Sequence, residues 1–477
     1  LTLMTDRSNS SIRAFDLAVI GAGSAGFSAA ITAAEFGASV ALIGHGDIGG
    51  TCVNVGCVPS KTMIRAVEPL HLARAAGRFD GIEATARVAD WSAAIRQKQA
   101  LVDDLRTAKY VDVLPNYNSI AYLDGAARFA GNGDLMVDGS RISAGRIIIA
   151  TGSRPHVPDI PGLDRVDHDD STSILAREDL PASLIVMGGG YVGVELAQVF
   201  ARAGTDVTIV TRRGLLPEAE PEIAAALTGY FAEEGITVRS GLTYDRVSDS
   251  GGQIGLHVST DRGKETITGE KLLLATGRIP NTEMLDIDRA AIATNGNGGI
   301  AVDPQMRTSR EGIYAAGDVT GQDPFVYMAA YGAKIAATNA MNGNTLSYDN
   351  SAMPTVVFSD PQLASVGLTE ARAIARGHDV RTSVLTLDDL PRALVARDRR
   401  GLIKLVADGR SKRLLGAHIL APEGADSIQT AAMAIRAGMT YDDLGATIFP
   451  YLTTVEGLKL AAQAFDRDIS RLSCCAG

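Results

Sequence analysis

Apolar and polar positions alternate along this chain in a way that changes period several times. An apolar strand ends at residues 18–20, and an alanine-rich stretch over residues 27–36 has helical spacing. Residues 39–43 return to the unbroken apolar run of a buried strand. Residues 51–71 lack strand-like alternation and predict one continuous helix. Residues 91–110 predict a long exposed helix with apolar positions at Ala94, Ile95, Leu101, Val102 and Leu105. Short strands of a meander are expected at 125–129 and 135–137, then a buried strand at 146–149. The strand–helix–strand order then recurs, with a strand at 184–187, a helix at 194–203 and a strand at 206–210. From Ser351 the texture becomes alternating strands (355–358, 402–406, 414–419) and helices (369–376, 427–437), an α+β region.

What joins the first strand to its helix is Gly21-Ala-Gly23-Ser-Ala-Gly26. G-x-G-x-x-G alone is weak, but between a strand and a helix it marks a dinucleotide site. The glycines permit a tight turn and close approach of a pyrophosphate to the helix N-terminus. An acid is expected about 20 residues on, to hold a ribose hydroxyl. Here the next strand ends Gly44-His45-Gly46, and the ribose contact stays unassigned. The second turn is Gly188-Gly-Gly190-Tyr191-Val-Gly193, and its following strand ends Thr211-Arg212-Arg213. Both strand ends, Gly44 and Thr211, fall 23 residues past the first glycine of their turn. Two arginines there suit the 2′-phosphate of NADP, which a carboxylate would repel. Ala150-Thr151-Gly152 closes the first region and Ala275-Thr276-Gly277 the second, a weak internal repeat expected when one nucleotide domain is inserted in another. The fold class is therefore α/β, with two Rossmann-like dinucleotide-binding domains and a C-terminal α+β domain. Asp318, carried to a turn by the strand before it, suits a flavin's ribityl chain once two fingerprints are present.

The chemistry lies in Gly49-Gly-Thr51-Cys52-Val-Asn-Val-Gly-Cys57-Val-Pro-Ser-Lys61. In the opening turns of a helix, unpaired N–H groups and the helix dipole favour thiolate over thiol, and Lys61 adds a cation. Half a zinc site and a static disulfide are the structural alternatives; zinc wants four ligands, and the chain has only 4 Cys, the other two at its very end. Those are Cys474 and Cys475, adjacent residues whose mutual bridge would be strained, so they read as a mobile pair of soft ligands. The 477 residues are 46% hydrophobic with a net charge of −10, which argues against nucleic acid, and no apolar run is long enough to span a bilayer. Residues 1–13 are polar, with no signal core, which predicts a cytoplasmic, reducing location. The chain opens on Leu1, and an upstream segment is expected to have been removed.

Together these residues resemble the flavin-dependent pyridine-nucleotide disulfide oxidoreductases, the group of glutathione reductase and lipoamide dehydrogenase. The resemblance runs from about Phe15 to Phe465, and the Cys52–Lys61 run is highly specific for it. It implies an FAD domain (1–154 and 281–350) split around an NADPH domain (155–280), then an interface domain (351–465) making a homodimer, and a Cys-bearing tail (466–477). It implies that Cys52 is the interchange thiol and Cys57 the one nearest the flavin. Lys61 would pair with Glu195 beside the flavin, and Tyr191 would cover the nicotinamide pocket. Asp318 would hold the ribityl chain, Ala127 and Val326 would meet FAD through their backbone, and Thr51 would meet its phosphates. Gly46, Thr151 and Gly152 complete the expected FAD set. One departure decides the subgroup. Where disulfide reductases carry His-Pro-Thr-x-x-Glu, this chain reads Tyr451-Leu-Thr-Thr-Val-Glu456, and a tyrosine of pKa near 10 is a poor proton shuttle at neutral pH. A missing acid and an added Cys pair resemble the subgroup that reduces Hg²⁺. The implied substrate is Hg²⁺ as a thiol complex, bound by Cys52, Cys57, Cys474 and Cys475, with Tyr191 and Tyr451 shaping the pocket. A disulfide reductase needing no His acid and a flavoprotein that sequesters mercury without turnover are the alternatives.

Overall fold

Strands buried on both faces read as unbroken apolar runs, and Val40–Gly44 is buried at every position. It belongs to a seven-stranded sheet, seen in a computed structural model that describes residues 13–131 and 134–469. The chain divides into two units. The first comprises the chain up to Pro59 with Arg96–His156 and Gly277–Asp349. Its sheet runs in the order Ile120–Asp124, Val40–Gly44, Arg13–Ile20, Ser140–Ile149, Leu135–Val137, Ala127–Phe129, with Ile313–Ala315 also paired to Ser140–Ile149. The strands around Arg13–Ile20 are parallel, in the register Leu17↔Val40 and Leu17↔Arg146, while the meander expected from the sequence forms the antiparallel edge. Helices Ser24–Glu35 and Val326–Asn342 pack through Ala25, Ala29 and Ala33 against Ala329, Ala333 and Ala336. Small side chains bring the backbones close enough for Ser28 Oγ to donate to the Ala330 carbonyl at 2.8 Å.

The second unit comprises Ser60–Ile95, Val157–Thr276 and the chain from Asn350. A parallel sheet, Thr237–Arg239, Asp206–Val210, Ser183–Met187, Lys271–Leu274, carries helix Tyr191–Ala203. An antiparallel meander, Thr243–Asp249, Ile254–Thr260, Gly263–Gly269, accompanies it; the polar sequence there gave no strand signal. The C-terminal part is a five-stranded antiparallel sheet, Pro354–Val357, Gln362–Gly367, Leu414–Ala421, Leu402–Asp408, Val380–Thr386. Helices Gly424–Arg436, Tyr441–Ala446 and Glu456–Gln463 share its core, where Tyr441 stacks on Phe465. Two of these strands escape the sequence pattern. Gln362–Gly367 mixes buried Leu363 and Val366 with Gln, Ala, Ser and Gly, and Val380–Thr386 buries Ser383 while exposing Val384, so its alternation carries the wrong polarity. Among the described residues no helix is long and apolar enough to cross a membrane.

Two predicted helices need correction. The stretch 51–71 is not one helix but two, Gly50–Asn54 and Cys57–Arg74. Pro59 explains the break: in a continuous helix its ring would meet the carbonyl of Val55, whereas in the first turn of a new helix its missing N–H is harmless. The helix at 91–110 is α-helical over Trp91–Arg106 and ends in a π turn, Thr107–Val111; one face is buried through Trp91, Ile95 and Val102, while Arg96, Gln97, Ala100 and Leu101 are exposed.

Candidate active site

The two glycine turns have the same construction. Side chains at Gly21 and Gly188 would run into the carbonyls of Ala150 and Ala275, the residues that open the two Ala-Thr-Gly strand ends. Side chains at Gly26 and Gly193 would run into the carbonyls of Gly21 and Gly188, so the third glycine seats each helix against its own turn. Helices Ser24–Glu35 and Tyr191–Ala203 open at Gly23 and Gly190 with no side-chain cap and no acid in the first turn. Their first N–H groups are left for an anion, which a pyrophosphate fits.

The redox segment docks on the first turn. Gly49 bridges Gly23 and donates its N–H to the Ala22 carbonyl at 2.8 Å; a Cβ on Gly50 would stand 2.7 Å from the Gly23 Cα. Both glycines have positive φ, +99° and +66°, which L side chains rarely adopt. Asn54 then donates to the carbonyls of Ile48 and Gly50, each at 2.9 Å, and holds the short helix bearing Cys52. A Cβ on Gly56 would meet the Thr51 carbonyl oxygen at 2.9 Å and the Cys52 Cα at 3.4 Å. Only glycine lets the chain fold back this tightly. Cys57 is the first residue of an 18-residue helix, where the dipole favours thiolate, while Cys52 lies in the preceding helix. Both thiols are partly exposed. Tyr110 backs Gly49, lies edge-on to Phe27 and bonds Ser24 Oγ at 3.1 Å; burial first, and the nearby sulfurs after it, push its phenol above the ordinary tyrosine range.

In the first unit, Asp318 accepts from Ser153 Oγ at 2.6 Å, and Arg278 Nε donates to the same hydroxyl at 2.8 Å. The turn before Asp318 rests on both packed helices, because a Cβ on Gly317 would touch Ala25 and Ala329 at 3.2 Å. Thr151 donates to the Asn281 carbonyl at 2.7 Å. Gly46 and Gly152, both at positive φ, face open space, Ala127 is buried, and Val326 opens its helix without a side-chain cap. An uncapped helix terminus, an anchored acid and open glycines supply donors, an acceptor and close backbone approach that fit FAD.

In the second unit, Lys61 Nζ and Glu195 Oε2 are 2.6 Å apart, with the side chains 35% and 7% exposed. The other Glu195 oxygen accepts the Phe358 N–H at 2.9 Å, and the Phe358 ring lies 4.8 Å from Lys61 Nζ. Phe358 is a partner that sequence reasoning missed, since nothing local marks it. Tyr191 is 37% exposed at the start of its helix. Arg212 stacks over Tyr244 at 5.2 Å and Arg213 pairs with exposed Glu218 at 3.1 Å. Tyr451 is 49% exposed; Glu456 is buried, accepts the Leu452 N–H at 3.2 Å, and is pushed by burial above the ordinary carboxylate range. His71 lies beside Glu234 and Asp360, and His418 beside Glu220 and the Leu368 carbonyl, so both are committed to charge networks elsewhere. Among the described residues no group of three or more His, Cys, Asp or Glu could hold a metal. Cys474 and Cys475 lie outside the described residues.

Residues 15–341 match the family described as pyridine nucleotide-disulphide oxidoreductase, and residues 353–462 match its dimerisation domain. The chain is 44% identical over 464 residues to the mercuric reductase of Lysinibacillus sphaericus, covering 97% of this chain and 85% of that protein. Identity with the Shigella flexneri mercuric reductase is 48% over 470 residues (97% and 83% of the two chains), and with that of Streptomyces lividans 45% over 468 residues (97% and 98%). Among solved structures, the Cu(II) complex of the HOCl-induced flavoprotein disulfide reductase RclA from Escherichia coli superposes with a TM-score of 0.85 at 32% identity, over 95% of this chain and 99% of that one.

Proposed function

The chain belongs to the pyridine nucleotide-disulphide oxidoreductase family, and from that premise we propose that it catalyses the NADPH-dependent reduction of Hg²⁺ to Hg⁰. One observation carries the choice of substrate within the family. The run that supplies a proton-donating His to disulfide reductases holds Tyr451 here, and the buried Glu456 that would orient such a His is bonded to a backbone N–H instead. Reduction of a disulfide needs electrons and protons, whereas Hg²⁺ needs two electrons and soft ligands. Similarity to mercuric reductases along 97% of the chain supports the same choice.

FAD, when bound, supplies the two electrons that NADPH provides as hydride, with one proton released to solvent. The uncapped turns at Gly21–Gly26 and Gly188–Gly193 hold the two pyrophosphates. Asp318, fixed by Ser153, receives the ribityl hydroxyls, and Arg212 and Arg213 receive the 2′-phosphate of NADPH. Glu195 fixes Lys61 at the flavin, and Tyr191 covers the nicotinamide pocket. Cys474 and Cys475 of the partner subunit take Hg²⁺ from a small thiol, each new Hg–S bond releasing the thiolate it replaces. Cys52 and Cys57 then accept the ion by the same exchange and hold it while it is reduced. The homodimer forms through residues 353–462.

The test is NADPH oxidation by the purified chain with Hg²⁺ and excess thiol, together with capture of volatilised mercury. Continuing oxidation with release of Hg⁰ is expected. Steady oxidation by a disulfide and none by Hg²⁺ would instead establish a disulfide reductase, and binding of Hg²⁺ without continuing NADPH consumption would establish sequestration.

A further inference from the structure

At the first dinucleotide turn the strand end that should offer a carboxylate to a ribose is Gly44, which has no side chain. We propose that the phenolic hydroxyl of Tyr122, one strand over, replaces that carboxylate and holds the adenosine ribose of FAD; this rests on the reading that FAD binds at the first turn. Strand Ile120–Asp124 runs parallel to Val40–Gly44 in the register Leu42↔Tyr122 and Gly44↔Asp124, which puts Leu42, Gly44 and Tyr122 on one face. That face looks toward the nucleotide turn, because a Cβ on Gly26 would lie 3.5 Å from Leu42 Cδ1. A Cβ built on Gly44 would lie 2.5 Å from the Tyr122 hydroxyl and 2.8 Å from the Cβ of Ala22, itself part of the turn. The phenol therefore stands where the stem of the expected side chain would begin. Glycine at 44 and tyrosine at 122 are one arrangement, since a glutamate at 44 and this tyrosine could not both fit.

Three further features support the assignment. The Tyr122 ring packs against the apolar core of its unit, so its hydroxyl is carried on a fixed arm. Among the described residues that hydroxyl has no hydrogen-bond partner, which leaves it both a donor and an acceptor for ribose hydroxyls. Beyond it the chain turns through Gly46 at φ +81° with nothing within 4 Å of a Cβ built there, which leaves room for a nucleoside. Asp124 is the rival, because it pairs with Gly44, but it is exposed, and the nearest atoms to the Gly44 Cβ position belong to Tyr122 and Ala22.

Tyr122→Phe keeps the ring and removes only the hydroxyl. Flavin release from the purified holoprotein on dilution, read by the rise in free-flavin fluorescence, gives the FAD dissociation constant. Loss of one neutral hydrogen bond should weaken FAD about five- to tenfold. The native chain should also bind FAD more tightly than an analogue lacking the 2′ and 3′ hydroxyls of the adenosine ribose, and Tyr122→Phe should bind the two alike. In the Tyr122→Val background, Gly44→Glu should recover much of the lost affinity, whereas alone it should weaken binding. An affinity of Tyr122→Phe within twofold of native, equal discrimination of the analogue by both chains, or an effect confined to Asp124→Asn would overturn the assignment while leaving FAD in place. A native chain that takes up no FAD would overturn the functional reading as well.

Discussion

Neutralising Lys61 and Glu195 separately and together tests whether their ion pair is the tie that holds the redox helix to the second nucleotide-binding helix. Glu195 is 7% exposed and spends one oxygen on Lys61 at 2.6 Å and the other on the Phe358 N–H at 2.9 Å. In Lys61→Met the carboxylate keeps a single N–H partner in a buried place. A charge-assisted hydrogen bond is worth roughly 1.5–3 kcal/mol, but Lys61 is 35% exposed, and water can replace part of what is lost. A destabilisation of about 2 kcal/mol follows. Glu195→Gln preserves the shape and still accepts from Phe358, so about 1 kcal/mol is expected. With both changes the remaining groups no longer face an unmatched charge, and the pair should show a coupling energy of about 1–2 kcal/mol. The reporter is built in: the chain has one tryptophan, Trp91, in the same unit, buried 5.7 Å from the Phe200 ring and donating to the Arg177 carbonyl at 3.1 Å. Urea unfolding followed by its emission reads the stability of that unit. Single-variant effects that add to within about 0.3 kcal/mol would refute the reasoning.

Replacing Cys474 and Cys475 with Ala should lower turnover of thiol-complexed Hg²⁺ at least tenfold while NADPH still bleaches the flavin absorbance; unchanged turnover would remove the relay. Arg212→Ala with Arg213→Ala should raise the KM for NADPH roughly tenfold or more and leave that for NADH nearly unchanged, as expected when two guanidinium partners of one phosphate are lost. Lys404 is buried with Glu220, Glu222 and Glu370 at 2.9, 2.9 and 2.7 Å. Lys404→Met, which strands Glu220 without a counter-charge, should therefore destabilise by about 3–5 kcal/mol in the same urea assay. Burial works to depress the Lys404 ammonium, but the three carboxylates outweigh it and hold the group above the ordinary lysine range. The folded chain then keeps a proton that the unfolded chain releases, so this contribution is full below pH ~10.4 and falls as pH rises beyond it. The native chain should lose stability there more steeply than Lys404→Met.

What could be read from the sequence was what lies within a few positions along the chain. Both glycine turns, their strand ends, the Cys52–Lys61 run and the Tyr451 departure are local words, and the strands and helices around the two glycine turns sit where apolar periodicity puts them. Partners that arrive from far along the chain were not readable. Phe358 reaches Glu195 across 163 positions and Arg278 reaches Ser153 across 125, and neither carries a mark of its role. The break between the two cysteines has a local mark too, because Pro59 disfavours a helix through Val55, although the helix that follows tolerates Pro69 in its interior. Gly44 declared a missing carboxylate, while its replacement came from a neighbouring strand that only pairing register could reveal.

The two glycine turns, alike in build, are each crossed by a later segment of the chain. Gly49 donates its N–H to the Ala22 carbonyl in the first, and Leu216 donates its N–H to the Gly189 carbonyl in the second, both at 2.8 Å. The same six-residue phrase is thus secured in the same way twice, and what distinguishes its two ligands is written in the residues around it.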